Sequence, residues 1–295
     1  MSDLDRLFEN NIRPLLDLID SLRDYLESPD IPIPTIITMG MQSSGKSSTL
    51  ESITHIKLPQ GEDMVTITPI EIQLRNLKED KDDYAIVKFA DDINNKDVIN
   101  CDLEEVGNVI NQFQDKLRQE HGLKPREKKL FNQKILVKVF RKNAVDLTLV
   151  DLPGLNFNEN IESASIAICE DYIKRPENTV LVILSAMDDV SNSFGTKLLR
   201  KYNDAKLRFI PIITKSDILK TKNFKIYMDS IKELGLSHKP SFIVNKFKDY
   251  ENEVNSHKIN NKIYNVNEND LGQTTLGFSA YLKDLSSAPG PIANF

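Results

Sequence analysis

Apolar positions along the chain follow two patterns. Near the start, Leu4, Leu7, Ile12, Leu15, Leu16, Ile19, Leu22 and Leu26 recur at helical spacing, which predicts a helical segment with one apolar face. Pro14 falls inside it and divides or kinks it, since proline lacks the amide a helix interior needs. A proline-rich stretch over 28–34 closes this region. Short apolar runs then predict strands at 35–39, 70–75, 84–89, 134–140, 147–150, 179–185, 208–213 and 241–244. Helical patterns follow many of them, at 46–54, 103–118, 161–173, 194–204, 224–234 and 273–285. The runs 179–184 and 209–213 are apolar without alternation, as in strands covered on both faces. This alternation predicts an α/β fold, a central mostly parallel sheet flanked by helices with ligands at the carboxyl ends of its strands.

The remaining stretches predict the organisation around that sheet. Polar, charge-rich residues at 76–83 and 91–99 suit loops around an inserted hairpin, and 250–270 is weakly patterned. Lysine and arginine cluster within 124–142, but 135–140 reads as a strand with its lysine on a solvated face. The expected division is a helical segment at 1–30 packing on a domain at 31–285, with a flexible tail at 286–295.

The run before residue 40 leads into the segment with the clearest chemistry. Residues 40–48 read Gly-Met-Gln-Ser-Ser-Gly-Lys-Ser-Ser, a P-loop set between a strand pattern and a helix pattern. Gly40 and Gly45 let the backbone turn tightly, so that successive N–H groups converge on phosphate oxygens. Lys46 is expected to reach the β- and γ-phosphates and the Ser47 hydroxyl to ligate Mg²⁺, with Ser44 and Ser48 in the same nucleotide-binding stretch. The helix that follows adds its positive N-terminal end.

Two later motifs narrow the ligand. Asp151-Leu-Pro-Gly154 follows the strand pattern at 147–150; an aspartate there holds Mg²⁺ through water, and Gly154 can turn its N–H onto a γ-phosphate. Thr214-Lys-Ser-Asp217 follows another apolar strand. Guanine presents an N1–H and an exocyclic amine on one edge, and a carboxylate accepts from both, so Asp217 is placed to select the base while the Lys215 stem covers the ring. Asn245 and Lys246, at the end of the last strand pattern, read either as a turn or as a contact to base or ribose.

Bulk properties exclude some alternatives. The chain has 295 residues, enough for one large domain, and is 40% hydrophobic and 28% charged. A net charge of −6 argues against nonspecific nucleic-acid binding and against electrostatic capture by an acidic membrane. No apolar run reaches the length of a membrane span, and neither a signal peptide nor a lipidation motif is expected. Cys101 and Cys169 lie far apart with no metal spacing, which suits reduced thiols and a cytoplasmic location.

Taken with these motifs, the chain resembles the GTPase domain of the dynamin superfamily, near its dynamin and Mx-type branch. The resemblance rests on the Gln-Ser before the second P-loop glycine and the doubled serine after the lysine. It rests further on residues 58–66, similar to the family's first switch, and on 147–154, which match the second. It implies hydrolysis of GTP to GDP and phosphate without an arginine finger. Gln42 then orients the attacking water, and Ser43 helps hold a charge-compensating monovalent cation, K⁺ or Na⁺. Thr66 coordinates Mg²⁺ and positions a second water, and the Gly154 amide faces the γ-phosphate. It also implies a homodimer through the GTPase face, with Asp189 reaching the partner's base, and by family alone dynamin-like proteins, microtubules or membranes as partners. A slow GTP-dependent module docking on a full-length relative is the alternative. The chain departs from the family at Gln60 and Ile67, where arginine is customary, and at Lys246, where arginine is common; Pro69 fits the Mx-like pattern. The stalk that family members carry is not expected here, nor is their assembly into membrane-wrapping helices.

Overall fold

The computed structural model describes residues 35–59, 66–77, 82–92, 94–124, 127, 129–142, 144, 146–155, 159–188, 190, 194–202, 207–215, 221–238 and 240–242. The helical segment expected at 4–26, the helix at 273–285 and the tail lie outside them.

Among the described residues nine strands form one sheet. They are β1 (Ile36–Gly40), β2 (Ile70–Asn76), β3 (Tyr84–Phe89), β4 (Ile99–Cys101), β5 (Ile135–Arg141), β6 (Leu147–Asp151), β7 (Thr179–Ser185), β8 (Phe209–Thr214) and β9 (Ser241–Phe242). Their spatial order is β4-β3-β5-β2-β6-β1-β7-β8-β9. β6, β1, β7, β8 and β9 run parallel. β2 reverses against β6 and pairs in parallel with β5, so the expected mostly parallel sheet carries an antiparallel seam. β3 and β4 form an antiparallel hairpin at this edge, β4 lying outside the predicted strands and beginning at the end of the loop expected over 91–99. Helices α1 (Lys46–Thr54), α2 (Val106–Glu120), α3 (Glu159–Ile173), α4 (Phe194–Lys201) and α5 (Thr221–Glu233) connect the strands.

The period of two along each strand divides the core between the faces of the sheet. In β1, Ile36 joins one cluster with Leu50 and Ile53 of α1 and Ile110, Phe113 and Leu117 of α2. Its neighbour Ile37 joins the other, with Ile168 and Ile173 of α3 and Tyr227 and Ile231 of α5. β7 repeats the rule, with Leu181 and Ile183 on the first side and Val180, Val182 and Leu184 on the second. Each such residue, when fully buried, contributes about 2 kcal/mol of transfer free energy. The unbroken apolar runs of β7 and β8 are therefore strands covered on both faces, as their lack of alternation predicts.

β2 alternates differently. Ile70, Ile72 and Leu74 enter the first cluster, while Glu71, Gln73 and Arg75 on the opposite face are also buried. Most of these polar groups find partners locally: Gln73 Nε2 donates to Glu71 Oε1 at 2.8 Å, Lys134 pairs with Glu71, and Arg75 Nη1 donates to the Leu74 carbonyl at 2.8 Å, while Gln73 Oε1 is buried without a partner. Lys138 on β5 is half-buried. Both cysteines are free, Cys169 buried and Cys101 half-buried. Among the described residues no helix is long and apolar enough to cross a membrane.

Gly40 ends β1 under tight constraint. A Cβ there would stand 2.4 Å from the Ile183 carbonyl oxygen, part of the adjacent strand, and 2.8 Å from Ser44 Oγ. Gly40→Ala is therefore expected to lower the unfolding free energy by about 3 kcal/mol, seen as a fall in the urea midpoint with an unchanged slope.

Candidate functional site

Beyond Gly40 the chain leaves the sheet edge through residues in the left-handed region, Ser43 at φ 61° and Gly45 at φ 99°. The loop closes on itself, the Ser44 amide donating to the Met41 carbonyl at 3.2 Å. α1 starts at Lys46 with Gly45 as N-cap, no side chain caps it, and its own first turn carries no acidic residue. The positive end of α1 is thus left for an external anion. Ser47 and Ser48 lie in that turn, half-buried.

Lys46 is buried, and Nζ donates to the carbonyls of Gly40 at 3.3 Å and Met41 at 3.0 Å. Burial pushes its pKa down, opposed by nearby Asp151. In this position the ammonium braces the loop from inside, close to where a bound phosphate would meet it.

Asp151 ends β6 and is fully buried. Its Oδ2 accepts from Ser47 Oγ at 2.9 Å and from Thr66 Oγ1 at 3.4 Å. The three residues expected around Mg²⁺ therefore meet at one oxygen. Thr38, beside Asp151 in the parallel β1–β6 register, donates from Oγ1 to Oδ1 at 3.2 Å and lies 3.3 Å from the Val150 carbonyl. Burial raises the Asp151 pKa, with Lys46 and the three hydroxyls opposing. A carboxylate with two hydroxyls is a hard-oxygen set of the kind that holds Mg²⁺ together with water and phosphate oxygens. Among the described residues no three His, Cys, Asp or Glu side chains gather as a metal site.

The segment after Asp151 comes back onto the P-loop, Leu155 bridging to Met41. Gln42 N–H donates to the Leu155 carbonyl at 2.9 Å, and Leu155 N–H to the Gly40 carbonyl at 3.1 Å. Gly154 is pressed so close that a Cβ would stand 2.8 Å from Gln42 Cα. Gln42, half-buried, and Ser43, exposed, lie on the rim formed there.

Thr214 and Lys215 close the other side. Thr214 is buried; its hydroxyl donates to the Ser44 carbonyl, and its methyl group lies 3.2 Å from where a Gly45 Cβ would sit. Lys215, with φ 52°, donates from Nζ to the Ser43 carbonyl at 3.0 Å. The start of the expected guanine motif is thus fastened to the P-loop. Asp217, Asn245, Lys246, Asp189 and Gln60 lie outside the described residues.

Two participants escape a reading of the motifs. Thr38 was detectable in principle, as a hydroxyl in an otherwise apolar strand. Gln114 of α2, 3% exposed, accepts the Ile67 amide next to Thr66 at 2.9 Å, and nothing in its helical pattern sets it apart from any other position.

With this geometry in hand, comparison with known proteins is informative. A family model described as the dynamin family matches residues 36–216. Over 225 residues the chain is 28% identical to an interferon-induced GTP-binding protein Mx of Perca fluviatilis, spanning 74% of this chain and 71% of that one. Over 224 residues it is 30% identical to MxE, an interferon-induced GTP-binding protein of Danio rerio, spanning 74% of this chain and 34% of the relative. For Mx1 of Bos taurus the figures are 29% over 251 residues, 83% and 37%. The chain therefore spans little more than a third of the length of the latter two relatives.

Proposed function

Because this chain belongs to the dynamin family, we propose that it binds GTP with Mg²⁺ and hydrolyses it to GDP and phosphate. The observation that carries the reading is the meeting of Ser47 and Thr66 on the Asp151 carboxylate, beside a P-loop fastened by Thr214 and Lys215. The relatives' printed names describe GTP-binding proteins, which supports the same ligand. Mg²⁺, held by Ser47, Thr66 and through water Asp151, neutralises charge on the phosphates when bound.

The chain's own groups supply the rest. The loop amides and Lys46 hold the β- and γ-phosphates, Asp217 reads the guanine edge, and Asn245 and Lys246 contact the base or ribose. Gln42 orients the attacking water, and the Gly154 amide meets the γ-phosphate. Ser43 contributes to a site for K⁺ or Na⁺. This is catalysis by positioning and charge stabilisation, and it needs no covalent intermediate. Two copies meeting through the nucleotide face, with Asp189 reaching across, complete the reading, in a cytoplasmic setting.

The test is GTP turnover with Mg²⁺ over a range of protein concentrations, beside Lys46→Ala. Lys46→Ala is expected to lower turnover by about 100-fold or more. Turnover per molecule is expected to rise with concentration, and a flat profile rejects the dimer. If the wild-type protein binds GTP yet turns over no faster than Lys46→Ala at every concentration, the chain is instead a GTP-dependent docking module.

A further inference from the structure

Helix α2 holds both ends of the segment that delivers Thr66. After α1 the chain passes Lys57 and Leu58, and the Leu58 amide donates to Glu51 Oε1 at 2.7 Å. Gly107, in the first turn of α2, lies so near that a Cβ on it would stand 3.0 Å from the Lys57 carbonyl oxygen. Two turns further along, buried Gln114 accepts the Ile67 amide on Oε1 at 2.9 Å and points Nε2 at Asn111 Oδ1, 3.4 Å away. The Ile67 carbonyl in turn accepts from the Phe131 amide at 2.9 Å, and the Ile67 side chain is fully buried in the core beside Ile110 and Phe113. Residues 107 and 114 sit about 10 Å apart along one rigid helix.

We infer that Gln114 is a positioning residue for Thr66, with α2 acting as the strut that fixes where the first switch ends. The inference rests on the GTPase reading given above. This end of the segment is held twice: the Ile67 side chain goes into the core, and its backbone amide is held by α2. Thr66 Oγ1 lies 3.4 Å from Asp151 Oδ2, at the long limit of a hydrogen bond, so a small displacement of the backbone removes the contact. An apolar residue at 114 strands the buried Ile67 amide without its acceptor, and the segment shifts until the amide finds another.

Gln114→Met keeps the size of the side chain and removes the acceptor, whereas Gln114→Glu keeps an acceptor at the same reach. In the full chain, Gln114→Met is expected to speed hydrogen exchange at the Ile67 amide by about ten-fold or more. It is expected to lower kcat by about ten-fold while KM for GTP stays within about three-fold. Gln114→Glu is expected to restore both, and thermal melts verify that each variant is folded. Unchanged exchange at Ile67 in Gln114→Met overturns the inference. So does faster exchange with unchanged kcat, or a kcat loss that Gln114→Glu fails to restore. If wild-type turnover equals that of Lys46→Ala, the GTPase reading fails by itself, and the exchange comparison still decides whether Gln114 anchors the segment.

Discussion

Asp151→Asn is expected to abolish Mg²⁺-dependent GTP turnover, by about three orders of magnitude, while leaving the protein folded and, without metal, no less stable. The two expectations have one origin. The carboxylate is fully buried, and burial raises its pKa despite Lys46 and the hydroxyls of Ser47, Thr38 and Thr66. Asparagine has the same shape and no charge, so it accepts from Ser47 and Thr66 through its oxygen. Thr38 has a second acceptor for its proton, the Val150 carbonyl at 3.3 Å. What the amide lacks is the negative charge that draws a cation and its water to this oxygen. The sign of the pH dependence follows from the raised pKa. Between the ordinary carboxylate value and the raised one the folded state holds the proton more tightly, so wild-type stability falls as pH rises through that window. The variant lacks this loss. In EDTA its denaturant midpoint is expected to match or exceed the wild type at neutral pH, and the advantage is expected to vanish below the carboxylate range. A lower neutral-pH midpoint for the variant rejects the view of Asp151 as a charge buried for the sake of its ligand.

Gly154→Ala is expected to reduce turnover by about 100-fold or more through geometry alone. The added Cβ meets Gln42 Cα at 2.8 Å and Gln42 N at 3.0 Å, with Lys46 Nζ also at 3.0 Å. The lysine can swing away; the Gln42 backbone cannot without opening the P-loop. The segment carrying Leu155 must therefore lift, and the Gln42 N–H···O=C Leu155 bond at 2.9 Å is lost with it. Gly122→Ala is the matched control. Gly122 also has a positive φ, +61°, but open space around it, so its replacement is expected to cost about 1 kcal/mol of stability and no activity. Single-turnover rates with excess enzyme separate the two. If Gly154→Ala turns over GTP within about three-fold of wild type, the close approach is not part of the catalytic geometry.

Much of this site was legible because phosphate chemistry uses small, glycine-punctuated motifs at the ends of apolar strands. Gly40, Lys46, Asp151 and Thr214 each follow or end such a run, and each sits at the rim of one sheet edge. β7 and β8 declared themselves by uninterrupted apolar residues. β4 did not, since a strand of three residues among polar neighbours has no period to read. The face of β2 bearing Glu71, Gln73 and Arg75 alternates like a solvated strand and is buried, with most of its polar atoms partnered there. Gln114 is invisible for a related reason. An amide on a helix announces nothing until the fold brings a particular backbone N–H to it. Ile67 reads in sequence as a charge lost from the first switch; in the fold it is a core residue and, on the proposed GTPase reading, marks where that switch stops.

The antiparallel seam between β2 and β6 gives that stop a mechanical meaning. Ile70 faces Asp151 across it, so the chain enters β2 where β6 ends. Tension from Thr66 along the strand axis reaches the ladders to β6 and β5 as shear, and bonds lying across the pull share the load rather than opening in turn. Sliding by one residue would bring Glu71, Gln73 and Arg75 into the apolar core and expel Ile70, Ile72 and Leu74. The strand therefore behaves as a fixed abutment for the chain that carries Thr66.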